Sequence, residues 1–347
     1  MSDISKIDKN FAVETEIDRE GLTYYDIDEA PFKIYGVFRE NGMYRRLPEE
    51  VAKSVSEGVH SLHWHTAGGR VRFVTDSKFV SINAKLNNLG KMPHFPLTGS
   101  IGFDLYEGTH HAKTFVPPFD IEDGFEAFYE FPDKKERCLT INFPLYSGVT
   151  KLYIGLDEGS TLKEAPAYKL EKPIVYYGSS ITQGGCASRP GSCYQPIVSR
   201  YFDHNFINLG FSGSAKGEDE IAEYIAGLDM SMFVYDYDHN ATTVQYLWDT
   251  HEKMFKTIRN AQPDIPIIMM SRPYHDQIED VIKRREVIET TYKNALAAGD
   301  KNVYFIDGVA LTKLCGNEGL VDRCHPTDYG FAAMAQALIE VMKDIEI

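Results

Sequence analysis

Apolar and polar residues alternate over the first part of the chain. In KFVSINAKL, Val80, Ile82, Ala84 and Leu86 occupy every second position; in CLTINFPLY, Leu139, Ile141, Phe143 and Leu145 do the same. A period of two places each set on one face of a strand. Turn-forming pairs such as Gly68-Gly69, Asn87-Asn88 and Pro117-Pro118 separate these runs. Short strands with frequent turns predict a β-sandwich over residues 21–156, behind an arm of residues 1–20. Within it, PEEVAKSVSEGV reads as a short helix or irregular excursion. HWH at 63–65 reads as a strand with His63 and His65 on one face.

The pattern changes after a polar, proline-containing segment at 157–172, expected as a linker. From residue 173 to 347, short and nearly continuous apolar runs take over: PIVYYG (173–178), FINLG (206–210), MFVYDY (232–237), IPIIMM (265–270) and VYFID (303–307). Such runs suit strands buried on both faces. Helical stretches at roughly 193–203, 218–227, 244–261, 276–298 and 327–343 lie between and after them. In YLWDTHEKMFKTIRNA, for instance, Leu247, Met254, Phe255 and Ile258 share one helical face. The alternation predicts an α/β domain, a five-stranded parallel sheet with helices on both sides.

Composition narrows the class. The 347 residues are 43% hydrophobic and 25% charged, enough for a large core, and the net charge is −15. That balance argues against nucleic acid or an anionic membrane as partner. No apolar run is long enough to span a bilayer. The N-terminus as written has no secretory h-region, so the expectation is a cytoplasmic chain unless a leader has been removed. Five scattered cysteines fit reduced thiols better than a disulfide framework, with Cys186 and Cys193 the one pair near enough in sequence to join.

In open parallel sheets ligands bind at the carboxyl ends of the strands. VYYGSSITQGG brings Ser179 and Ser180 to the end of the first such strand, where Gly-Ser-Ser is also ordinary turn chemistry. A serine nucleophile needs a base, a group that orients the base, and donors for the oxyanion. DRCHPTDYG supplies Asp322 and His325 three residues apart, just before the last helix, although Pro326, Thr327 and Asp328 also read as helix-start residues. His239 and His275 compete as bases at other strand ends. Gly213, in NLGFSGSAKG, and Asn240, in DYDHNA, are candidate oxyanion donors; an ordinary βα turn and a helix cap are their structural alternatives.

In order, Gly178-Ser179-Ser180-Ile181-Thr182, Asn208-Leu209-Gly210-Phe211-Ser212-Gly213, Asn240 and Asp322-Arg323-Cys324-His325 resemble the four blocks of the SGNH (GDSL-type) hydrolases. Upstream, GFDLYEG (102–108) resembles the signature of the GxDLY-type domain that precedes some bacterial SGNH esterases. The resemblance spans roughly residues 20–345. It implies a flavodoxin-like three-layer α/β/α domain and a serine esterase that needs no cofactor or metal. It further implies Ser180 as nucleophile, with Ser179 left as a turn residue, His325 as base and Asp322 as its orienting acid. The N–H groups of Ser180 and Gly213, with the Asn240 amide, would form the oxyanion hole. Two departures stand out: Ser179 replaces the usual acidic residue before the nucleophile, and DHNA replaces the usual G-x-N-D.

Domains of this layout resemble carbohydrate deacetylases, which implies a small-molecule or oligosaccharide ester as substrate. Arg189, in the loop GGCASRPGSCY, and His239 are candidate substrate contacts. Asp104 and Tyr106, on one face of an extended segment in HFPLTGSIGFDLY, either line the cleft or pack structurally. Acyl transfer through the same triad and a catalytically inert glycan-binding role are the alternatives in other classes. Oligomeric state is not legible in the sequence.

Overall fold

The computed structural model describes residues 13–273 and 278–345. Its C-terminal half is a five-stranded parallel sheet. In chain order the strands are Leu170–Gly178, His204–Gly210, Met232–Asp236, Ile267–Met270 and Val303–Ile306. Their spatial order is second, first, third, fourth, fifth, the flavodoxin-like order with the first strand inside the sheet.

Period two explains why these strands read as continuous apolar runs. In the first strand Val175 and Tyr177 enter one core, and Ile174 and Tyr176 enter the other. Phe233 and Tyr235 repeat the split against Met232 and Val234 on the third strand. Helices Asp219–Ala226, Val244–Ala261 and Glu279–Ala297 cover the first face; Tyr194–Phe202 and Asp328–Met342 cover the second. Apolar residues on both sides of each strand therefore have a helix to meet.

The N-terminal half is antiparallel. One sheet orders Leu22–Asp26, Gly148–Asp157, Phe79–Asn87 and Gly124–Glu130. The other orders Leu162–Glu164, Arg70–Thr75, Arg137–Asn142, Phe103–Glu107 and His110–Phe115, with Lys33–Tyr35 also on Arg70–Thr75. Val80, Ile82, Ala84, Leu139 and Ile141 fill the core between them. The opposite face of Phe79–Asn87 is buried too: Ser81 and Asn83 are covered, and Asn83 Nδ2 donates to Glu14 O of the arm at 2.8 Å.

Three local expectations change. The segment 157–172 is not a free tether, because Leu162–Glu164 pairs with Arg70–Thr75 and the first parallel strand begins at Leu170. PEEVAKSVSEGV gives two helices, Glu49–Val55 and Glu57–Leu62, broken at Ser56, whose hydroxyl accepts from Val59 N and caps the second. His63 ends that second helix and His65 follows in a turn, so HWH is not a strand.

The halves are joined by burial and hydrogen bonds. Leu47, Ala52 and Val59 sit in one α/β core, and Phe95, Leu145 and Tyr146 in the other. Arg46 is buried and donates to Asn208 O at 3.1 Å, Gly210 O at 2.6 Å, His65 O at 2.6 Å and Leu62 O at 2.9 Å. The sandwich thus clamps the end of the second parallel strand, which leads into the Gly213 loop.

Candidate active site

The first parallel strand ends at Gly178, where a Cβ would lie 1.8 Å from Asp236 Oδ1, so no other residue fits. Ser179 then caps the single-turn helix Ser180–Gln183, its hydroxyl accepting from Ile181 N at 3.2 Å. One turn carries little macrodipole; what it offers is the N–H of Ser180, which donates to no acceptor among the described residues. Asp236, from the end of the third strand, braces this turn. Its Oδ1 accepts from Ser179 N at 3.3 Å and from the Thr182 hydroxyl. Burial, with the charge of Asp238, pushes its carboxyl up to about 8. A side chain from another strand therefore holds the loop that the missing acid at 179 would have held.

Ser180 Oγ donates to His325 Nε2 at 2.8 Å, across 145 sequence positions. His325 Nδ1 donates to Asp322 Oδ2 at 2.8 Å. The D-x-x-H turn makes the second bond local. Arg323 adopts a left-handed φ of 64°, and Asp322 Oδ1 accepts from Cys324 N at 3.1 Å and His325 N at 2.8 Å. Burial would raise the Asp322 carboxyl, but the His325 N–H, its imidazole and the Cys324 N–H hold it below the usual range. Thr327 caps the last helix, so cap and histidine turn occupy adjacent positions.

The Gly213 loop hangs between the nucleophile turn and Asn240. Phe211 N donates to Gly178 O at 2.8 Å, Ser212 N to Gln183 Oε1 at 2.9 Å, and Asn240 Nδ2 to Phe211 O at 3.2 Å. Gly213 has φ +68° and open space where a side chain would be, and its N–H meets no acceptor among the described residues. An amide NH2 has two hydrogens, which leaves Asn240 a second donor. The arrangement can activate a hydroxyl, hold an imidazolium and offer N–H groups to an oxyanion.

His239 is not on Ser180. Burial, with the charges of Arg272, His325 and Arg284, pulls it down to about 3, and its Nε2 is buried without a partner among the described residues. His275 lies outside the described residues. Arg189 is not aimed at a substrate: it donates to Tyr106 OH and, at 3.3 Å, to Asp104 Oδ2. Asp104 is fully buried and also accepts from Gly191 N at 2.8 Å and Asn142 Nδ2 at 2.7 Å. A buried carboxylate demands a cation, and Arg189 meets that demand. Asp104 and Tyr106 thus pin the loop after the nucleophile rather than line the cleft. Cys186 and Cys193 are free thiols.

Three residues near the site carried no sequence signal of their role. Gln183 Nε2 donates to His65 Nδ1 at 3.1 Å and Leu145 O at 3.2 Å, joining the sandwich, the nucleophile turn and the Gly213 loop. Tyr146 OH donates to Ser180 O at 3.2 Å. His94, exposed on the sandwich side, has its ring centroid 5.7 Å from that of His325. His94, Cys186 and His325 offer ligand atoms within 4.8 Å of one another, as do Asp322, Cys324 and His325. Both sets use the His325 imidazole, whose two nitrogens Ser180 and Asp322 already engage. His63 and His65 are spent otherwise, on Arg45 and on Gln183.

Residues 171–343 match the GDSL-like lipase/acylhydrolase family, and residues 22–162 match the GxDLY family, the N-terminus of SGNH-hydrolase-type esterases. A Bacteroides ovatus protein described as a GDSL-like lipase superposes with a TM-score of 0.82 at 27% identity, covering 93% of this chain and 97% of its own. The salicylyl-acyltransferase of a tetracycline biosynthetic pathway gives 0.77 at 18% identity, over 94% and 99%. An acetyl xylan esterase from the rumen bacterium Butyrivibrio proteoclasticus gives 0.58 at 13%, over 93% and 98%. No curated protein matches the sequence.

Proposed function

We propose that this chain, which belongs to the GDSL-like lipase/acylhydrolase family and carries a GxDLY-type N-terminal domain, is a serine esterase that removes acetyl or other short acyl groups from carbohydrate esters. The observation that carries the reading is the hydrogen-bonded line Ser180–His325–Asp322. Ser180 Oγ attacks the ester carbonyl as its proton passes to His325 Nε2. The imidazolium, steadied by Asp322, protonates the departing sugar oxygen, which leaves as the free hydroxyl. Water, deprotonated by the same nitrogen, then cleaves the acyl-enzyme. The Ser180 and Gly213 N–H groups and the Asn240 amide stabilise each tetrahedral oxyanion. His239, whose Nε2 is buried, takes no part in this sequence.

The carbohydrate part rests on the likeness in fold to the acetyl xylan esterase. A second reading, transfer of the acyl group to an alcohol rather than to water, is favoured by the likeness to the salicylyl-acyltransferase over 94% of the chain. The experiment is release of p-nitrophenol from p-nitrophenyl acetate, followed by mass spectrometry of acetylated oligosaccharides with and without a candidate acceptor. Ester cleavage by the intact chain and none by Ser180→Ala is the expected result. A new ester in the acceptor arm selects the transferase reading, and equal activity of the two proteins ends both.

A further inference from the structure

At the amino ends of the parallel strands, away from Ser180, the sandwich and the α/β half enclose a cavity of about 340 Å³. Its walls include Arg70 and Arg72 from the strand Arg70–Thr75, Arg200 from the helix Tyr194–Phe202, and the rings of Tyr106, Tyr168 and Phe206. Among the described residues, none of the three arginines has a carboxylate within ion-pair distance, although the chain as a whole carries a net charge of −15. Asp203 also borders the cavity, but it is exposed, and its Oδ2 accepts from Lys169 N at 3.1 Å.

The three cations are not equally committed. Arg70 is spent on the protein: it donates to Gly68 O, Phe206 O, Asn205 Oδ1 and Tyr168 OH. Arg200 gives one bond, to Gly191 O at 2.8 Å, and stacks 4.3 Å from the Tyr106 centroid. Arg72 is 8% exposed, lies 4.0 Å from the Tyr168 centroid, and has only the Cys138 sulfur near Nη2, at 4.0 Å. Its Nη1 is buried with no acceptor among the described residues. Ring contacts offset part of a guanidinium's desolvation, but they leave in-plane N–H groups unsatisfied. Burial draws Arg70 and Arg200 below the ordinary guanidinium range, Arg200 against the pull of the nearby Asp104 carboxylate, which is paired with Arg189.

We propose that this interdomain cavity binds a small organic oxyanion, a carboxylate, phosphate or sulfate ester whose charged group pairs with Arg72 and Arg200 and whose body packs on Tyr168 and Phe206. A planar guanidinium fork suits such a group, and the volume is in the range of small-molecule sites. Because both halves of the chain contribute walls, the ligand would stabilise the full protein.

The test is calorimetric titration of the full chain with inorganic phosphate, inorganic sulfate and D-glucuronate at constant ionic strength, against chloride. Expected is saturable binding of at least one probe with Kd below about 10 mM. It should weaken about tenfold or more in Arg72→Gln and in Arg200→Gln, since a charge-assisted hydrogen bond is lost in each. Ser180→Ala should bind as wild type. Cys138, which lines the cavity and is partly buried, gives an independent readout: bound probe should slow its alkylation by iodoacetamide, read by peptide mass spectrometry. Preference for glucuronate over the inorganic ions identifies a ring-borne carboxylate; the reverse identifies a phosphate or sulfate group. No saturable binding of any probe, binding unchanged in both arginine variants, or unprotected Cys138 overturns the proposal.

Discussion

The hydroxyl of Tyr146 donates to the main-chain oxygen of Ser180 at 3.2 Å, so the sandwich half touches the backbone of the nucleophile itself. Tyr146 is buried against Phe95 and His65, which leaves its ring little freedom. Removing the hydroxyl leaves the ring packed and the carbonyl short of one donor. A neutral hydrogen bond is worth about 1 kcal/mol net. Tyr146→Phe should therefore lower Tm by a few degrees and, because the lost donor holds the nucleophile's own carbonyl, lower kcat on p-nitrophenyl acetate by up to about fivefold. Steady-state kinetics beside a melting curve check it; an unchanged kcat would show that the contact positions nothing.

The reacting groups differ in what their loss should cost. Ser180→Ala removes the attacking atom and should abolish turnover, and His325→Ala should do nearly as much. Asn240→Ala removes one oxyanion donor and leaves the two N–H groups. Loss of such a donor costs about 3–4 kcal/mol of transition-state stabilisation, so a residual rate should remain measurable. Single-turnover and steady-state rates on one p-nitrophenyl ester rank the three. Asn240→Ala as inactive as Ser180→Ala would mean that the amide does more than share an oxyanion.

The residues just ranked were legible because their signals are local. Strand, glycine, serine and the D-x-x-H turn each occupy a few adjacent positions, and the parallel strands announce themselves by burial on both faces. The observed helices Tyr194–Phe202, Val244–Ala261 and Asp328–Met342 end within a residue or so of the expected bounds for the same reason. What the sequence did not reveal is non-local. Arg189 reads as a substrate ligand until a fully buried Asp104, 85 positions earlier, is found to hold it. Asp104 itself sits in a strand where alternation says little about which polar residue faces another domain. Gln183 lies in the nucleophile turn, yet its partners His65 and Leu145 belong to the other half of the chain. HWH failed as a strand because three residues are too few to separate period two from the end of a helix.

Asp104 should be a stability residue whose loss is also felt in catalysis. Asp104→Ala leaves the Arg189 guanidinium, Gly191 N and Asn142 Nδ2 without their shared acceptor. Removing one partner of a buried ion pair costs about 3–5 kcal/mol. With the Arg189 side chain 25% exposed, the lower end applies, about 3 kcal/mol. The midpoint in urea should fall accordingly. kcat should fall as well, because Gly185, in the loop that Asp104 pins at Gly191, donates to Ser180 O at 2.8 Å. Arg189→Ala should cost a comparable amount, since it leaves the fully buried Asp104 with two neutral donors and no paired cation. A fall in kcat in Arg189→Ala with the urea midpoint unchanged would assign Arg189 to the substrate after all.

Stability should peak near pH 6.5 and fall on both sides, for different reasons. Burial pulls His65, His239 and His251 each down to about 3. Below the ordinary imidazole value the unfolded chain takes up protons that the folded chain refuses, so stability is lost as pH falls from 6.5 toward 3. Asp236 and Asp238 act in the opposite sense. Burial raises them to about 8 and about 6, so the folded chain keeps protons that the unfolded chain releases above pH 4, and stability is lost as pH rises. Between pH 4 and 6 these three histidines, together with His63, which burial draws down to about 4, oppose two carboxyls, and the acid slope wins. From 6.5 to 8 the histidine contribution is gone and Asp236 remains, at about 1.4 kcal/mol per pH unit, or about 2 kcal/mol in all. Asp236→Asn isolates the cause: Oδ1 can still accept from Ser179 N and Thr182, while the amide nitrogen replaces an Oδ2 that has no partner among the described residues. Urea midpoints across pH 4–8 should show wild type declining above 6.5 and Asp236→Asn flat there, with the same acid limb in both. An alkaline decline of equal slope in the variant would place the titrating group elsewhere and return Asp236 to the ionised state.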